Sequence, residues 1–218
     1  MKYLVLTLEG LMMSFGESDY WDVRGTNNFP TKSFIVGLIS SGLGYLRGET
    51  EKIKNISENI TVACREDKHP NILRDYHTIL DTMKADGKKN ENAVISPRHY
   101  LTDGSFTVLI GLKDERIKDL IIQALTDPVW PSYLGRKSCV PSKPVFNSLE
   151  IEAENDYEAF MKLKSDVKET VFSCVGEDYK NGRTSFIKDE VISFEPRIYK
   201  DRKIYYYTIS SDQLNGGL

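Results

Sequence analysis

The order in which apolar residues change period constrains this 218-residue chain more than any other feature. Lys2–Glu9 is apolar, β-favouring and stopped by Gly10, so it predicts a strand. Behind Pro30-Thr31, where Thr31 can cap, Ile35, Leu38, Ile39, Leu43 and Leu46 recur at helical spacing. Asn59–Arg65 and Phe106–Gly111 read as the next two strands. Asp114 and Glu115 open a second helix with Ile117, Leu120, Ile121, Ala124 and Leu125 on its buried face, and Val145-Phe146 starts a fourth strand. Strand, helix, strand, insert, strand, helix, strand is the order of an α+β, ferredoxin-like βαββαβ domain. The insert, Glu66 to Gly104, is too long for a structureless loop in a compact domain and predicts a protruding hairpin over about 74–104. Past Glu150 the signals weaken; Val171–Val175, Asp189–Phe194 and Lys203–Ile209 read as strands. The expected organisation is a main domain over 1–146 and a small β-rich region over 147–218.

Gly37, Gly42 and Gly44 fall within the first helical stripe, where each costs about 1 kcal/mol against alanine. Their expected return is close approach of that helix to the sheet. Tyr205-Tyr206-Tyr207 reads as sheet and not as a stacking platform.

Composition excludes several classes. Hydrophobic residues at 40% and charged ones at 28% fit a globular chain, neither disordered nor membranous. The N-terminal apolar run alternates and reaches Glu9 too soon for a signal peptide, and nothing is long enough for a bilayer span. Cys64, Cys139 and Cys174 are odd in number and widely spaced, which predicts reduced thiols and a cytoplasmic protein. His69, His77 and His99 have no zinc-like spacing, so neither a metal nor a cofactor is expected. The net charge of −3 requires any polyanion site to be a local patch.

Such patches exist. From Asp127 to Glu150 no acid intervenes, and Tyr133–Pro144 carries Gly135, Arg136, Lys137, Ser138 and Lys143. A cationic Gly/Ser loop between ordered elements suits an anion. Residues 23–48 are equally free of acid and hold Arg24, Lys32 and Arg47, with Lys32-Ser33 in a helix first turn whose amides suit a phosphate. In the insert, Arg74, His77, Arg98 and Tyr100 mix cations with rings, as single-stranded nucleic-acid sites do.

An ordered series of segments then resembles the CasD family, the RAMP-type subunit of type I-E Cascade, the CRISPR RNA surveillance complex. It comprises Ser14-Phe15-Gly16, Arg24-Gly25-Thr26, Phe29–Ser33, Gly37-Leu38, Leu43-Gly44, Arg74–Thr78, Tyr100–Val108 and Tyr133–Cys139. Phe15 stands where the family usually has tryptophan and Gly104 where it usually has alanine. The match covers 1–146; residues 151–218 agree only in general character. The resemblance implies a RAMP domain that caps one end of the complex and holds the 5′ handle of the guide RNA (crRNA). It also implies an insert acting as a thumb against the guide and the adjacent backbone subunit, and a neighbouring large subunit that reads the target DNA. Sequence pairing is then delegated to the RNA.

A related branch of that family cleaves precursor RNA, so a metal-independent endoribonuclease is the rival expectation. Such chemistry needs a base, an acid and a cation near the 2′-hydroxyl, and His77, Tyr76 and Lys32 are the residues available. The cationic loop has no histidine, and Trp130 stands where a nucleotide-binding P-loop needs its first glycine. The residues therefore favour a binder without catalysis. A scaffold whose cations meet acidic protein partners is a third class.

Overall fold

The computed structural model describes residues 1–16, 23–163 and 170–216. In chain order the elements are β1 (Lys2–Glu9), β2 (Met12–Met13), α1 (Lys32–Gly42), α2 (Thr50–Glu58), β3 (Ile60–Lys68), β4 (Asn71–Ile79), β5 (Val94–Thr102) and β6 (Ser105–Leu112). A 3-10 turn (Glu115–Ile117) then leads into α3 (Lys118–Thr126), β7 (Phe146–Glu152), α4 (Asp156–Met161), β8 (Val171–Gly176), β9 (Arg183–Phe194), β10 (Arg197–Ser210) and α5 (Ser211–Asn215). No helix among the described residues is long and apolar enough to cross a membrane.

Strands β7-β1-β6-β3 lie side by side, each antiparallel to its neighbour, and α1 and α3 follow β1 and β6 as the sequence order requires. The architecture is α+β. The centre of β1, Tyr3 to Leu6, is a continuous apolar run because both of its faces are covered. Leu4, Leu6 and Leu8 enter a core with Ile35, Ile39, Ile53 and Ile121, while Tyr3 and Val5 enter a second core with Phe160, Phe172 and Ile209.

The C-terminal strands do not form a layer of their own. β8 pairs with β3 through Cys64–Val175 and Arg65–Cys174, and the sheet runs on through β10 to β9. β7 itself begins at residue 146, where the main domain was expected to end. Seven strands thus share one sheet.

The joint is sealed by buried charge. The backbone N–H of Lys32 donates to Asp189 at 2.7 Å, and its ammonium donates to Glu190 at 2.7 Å. Arg202 grips Asp189 with Nε and Nη2, at 2.8 and 2.7 Å, and reaches Glu177 at 2.9 Å. Glu177 in turn accepts from the Val62 N–H of β3 at 2.8 Å. Two cations therefore face three carboxylates between α1, β3 and the C-terminal strands, the paired form in which buried charge is tolerated.

Two expectations about α1 change. The helix stops at Gly42, so Leu43 caps it and Leu46 lies 63% exposed in the following turn. Gly42 does permit a close approach, but to another helix: a Cβ there would lie 2.1 Å from the Ala124 carbonyl oxygen of α3.

β4 and β5 pair from Asn71–Thr102 to Ile79–Val94, forming a hairpin that protrudes with β2 at its base. Cross-strand partners share a face, so Arg74, Tyr76 and His99 lie on one side of this hairpin. Asp75, His77, Arg98 and Tyr100 lie on the other.

Candidate nucleic-acid interface

Three segments distant in sequence meet at the base of the hairpin. Residues 24–27 are strapped to β5: the Arg24 N–H donates to the Pro97 carbonyl at 2.9 Å, and the His99 N–H donates back to Arg24 at 2.8 Å. The strap is tied to the chain after β2 as well, since the Asn27 N–H donates to Phe15 O at 2.6 Å. Beside it lies the cationic loop, shaped by Gly135. This residue has φ +92°, and a Cβ on it would overlap the Ser14 carbonyl oxygen at 1.6 Å. Buried Leu134 and Cys139 pin the loop on either side, with Leu134 N–H to Cys139 O at 2.7 Å and Cys139 N–H to Arg136 O at 2.8 Å. Burial also pushes the Cys139 thiol above the usual thiol range.

Arg136 locks loop to strap. Its Nη2 donates to the carbonyls of Arg24 (2.9 Å) and Gly25 (3.3 Å), and its guanidinium lies 4.5 Å from the Tyr100 ring centroid. Tyr100, expected to stack on a base, is instead 6% exposed and covered by this cation. Arg24, Arg98 and Arg136 are thereby gathered in one place, and none has a carboxylate within 4.0 Å among the described residues. Asp75 stands across from Arg98 in register, yet its Oδ2 is directed to His77 Nδ1 at 3.7 Å. Three nitrogens of this neighbourhood, Asn27 Nδ2, Arg98 Nε and Arg136 Nη1, are buried without a hydrogen-bond partner among the described residues.

The remaining expected residues divide. Lys137 and Ser138 are exposed on the loop, and Lys137 has no ion pair among the described residues. Lys143 was expected to lack a partner, but β1 brings Glu9 to 2.8 Å from its ammonium. Arg74 is exposed on the opposite face of the hairpin from Arg98 and His77, so alternation along the strand separates residues only three apart. Arg47 belongs to another neighbourhood, where it and Arg197 oppose the effect of burial on the Tyr199 hydroxyl. Lys32 is fully buried and neutralised by Glu190, and Asp189 takes the α1 amide intended for a phosphate. Ser33 faces Thr31 at 3.1 Å in that same capped turn. His77, Tyr76 and Lys32 are consequently not assembled: two lie on opposite hairpin faces and the third is enclosed at the start of α1.

Sequence reasoning missed Asn27, for no pattern distinguishes a strap asparagine from a turn asparagine. It likewise missed Glu9, Asp189 and Glu190 as partners, because each arrives from more than 130 residues away.

Comparisons with known proteins bear on this geometry. A family model described as CRISPR-associated protein (Cas_Cas5) matches residues 3–206. The CRISPR system Cascade subunit CasD of Escherichia coli (strain K12) is 34% identical over 156 residues, which is 66% of this chain and 70% of that protein. Among solved structures, a chain of a CRISPR RNA-guided surveillance complex superposes with a TM-score of 0.79 at 24% identity, covering 94% of this chain and 89% of that one. A crystal structure of a Cas protein superposes with a TM-score of 0.72 at 23% identity, covering 97% and 96%. At such identities these two likenesses establish a common fold.

Proposed function

Given that the chain belongs to the Cas5 family of CRISPR-associated proteins, we propose that it is a non-catalytic, crRNA-binding subunit of a Cascade-type surveillance complex. In this reading it holds the 5′ handle of the guide and caps the backbone. The observation that carries the reading is the gathering of Arg24, Arg98 and Arg136 with no carboxylate within 4.0 Å among the described residues, flanked by exposed Lys137. Guanidinium groups carried on anchored backbone can grip phosphates without reading bases. The hairpin supplies the second contact. Its side bearing Ile72, Tyr76 and Ile95 is exposed at 67%, 68% and 47%, an apolar patch suited to an adjacent backbone subunit. A large subunit would adjoin this one, target DNA would be engaged only through the assembled complex, and the location would be the cytoplasm, with no membrane contact.

The test is a titration of handle-RNA binding against salt. On single strands each phosphate contact adds about 0.7 to the slope of log affinity against log salt. Arg98→Ala with Lys137→Ala should flatten the slope by roughly 1.4 and weaken binding alike for all RNA sequences. The RNA should be recovered uncut. A slope unchanged in the double variant would move these cations to a protein partner, and site-specific cutting abolished by His77→Ala would promote the endoribonuclease.

A further inference from the structure

The unpartnered nitrogens of the interface share one property: all three are donors. Asn27 Nδ2, Arg98 Nε and Arg136 Nη1 are sealed from water and lack acceptors among the described residues, whereas buried polar groups are ordinarily paired. The side chains of Asn27 and Arg136 are otherwise held. The Asn27 carbonyl oxygen accepts from the Asn28 N–H at 3.1 Å, so its amide nitrogen can only donate. The other end of the Arg136 guanidinium is fixed on the carbonyls of Arg24 and Gly25, three and two residues before Asn27, and the backbone of Arg98 is bridged to that of Arg24. We propose that Asn27, Arg98 and Arg136 form a preorganised pocket for a single phosphate group, resting on the RNA-binding reading above. The O6/N7 edge of guanine and the non-bridging oxygens of a phosphate both only accept, but the phosphate alone carries a negative charge. A set made solely of donors, two of them cationic, selects the phosphate. Arg136 is itself half-buried, so rotation of its side chain opens the way in.

The decisive variant is Asn27→Asp. It retains the oxygen that accepts from Asn28 and puts an acceptor where Nδ2 stood, so the aspartate takes the place of the ligand beside the two arginines. The full chain is unfolded thermally in chloride, and in inorganic phosphate at equal ionic strength. Phosphate should raise the Tm of the wild-type protein by mass action. Asn27→Asp should raise Tm in chloride and weaken phosphate binding at least about tenfold. Asn27→Ala, which keeps the backbone bond to Phe15, should weaken phosphate binding without raising Tm. A scan of handle RNA with single neutral methylphosphonates should find one position that matters to the wild-type protein and not to Asn27→Asp, which separates an RNA phosphodiester from free phosphate. If phosphate leaves the wild-type Tm unchanged, or Asn27→Asp responds as the wild type does, the pocket is disproved. The RNA-binding reading survives that result wherever handle RNA still binds with its salt slope, and falls with the pocket where it does not.

Discussion

Lys32 and Lys137 carry the same charge and belong to different chemistry. Lys32 is enclosed with Glu190 and Asp189, so Lys32→Ala should remove a partner from a half-buried carboxylate. The cost should be about 2 kcal/mol, below the range for fully buried pairs because the Glu190 side chain keeps 23% of its exposure. Urea denaturation should register that loss, while the salt slope of RNA binding stays at the wild-type value. Lys137→Ala should do the reverse, flattening the slope by about 0.7 without moving the urea midpoint. Gly135→Ala should cost at least ~2 kcal/mol, since a left-handed residue with a Cβ is disfavoured and the Cβ would strike Ser14; an unmoved urea midpoint would show that the loop simply shifts aside. The role of Gly135 as a turn was legible from the sequence, as was the absence of local acids around Arg136. Which cations remained free was not, because Glu9 and Glu190 reach Lys143 and Lys32 only through the tertiary fold.

At the scale of elements, legibility followed apolar periodicity. β1, β3, β6 and the start of α1 fall within a residue or a few of the expectation because their patterns are dense and capped. α2 escaped notice: among its nine residues only Ile53, Ile56 and Ser57 are buried, and charged side chains fill its outer face. The insert was legible as a protrusion, and the structure adds that Leu80 (71% exposed) and Met83 (78%) stand with Ile72 and Tyr76 on its surface. The facing of Ile79 and Val94 makes a direct experiment possible. Replacing residues 80–93 by Asn-Gly should close the hairpin in a two-residue turn and leave Tm within a few degrees of the wild type. The shortened protein should keep its affinity for handle RNA and lose affinity for its backbone subunit in a pull-down. Unfolding of this variant would place the tip in the core.

For the whole molecule, the single sheet decides how the chain can be divided. The sequence suggested a boundary at 146 because helical and strand signals are strong before it and weak after it. The weak strands nevertheless make up three of the sheet's seven, and what the sequence did not show is that β8 joins them to β3. A fragment ending at residue 152 would leave Lys32 buried without a carboxylate and β3 with an open edge. It should therefore be insoluble or lack a cooperative thermal transition, as followed by circular dichroism. A soluble, cooperatively melting fragment would restore the two-part division.

The bond between Lys32 and Asp189 also sets a timetable for synthesis. A ribosome delivers α1 early, but the carboxylates that cap and neutralise its first turn lie 157 and 158 positions downstream. During translation of the intervening chain, the nascent protein carries an unpaired lysine and a bare β3 edge, the kind of surface on which strands from neighbouring polypeptides can add. Completion of the fold thus waits until the C-terminal strands have left the ribosome. Chaperone occupancy on translating ribosomes should persist until β10 has cleared the exit tunnel, and slowing elongation between residues 150 and 200 should lower the yield of soluble protein.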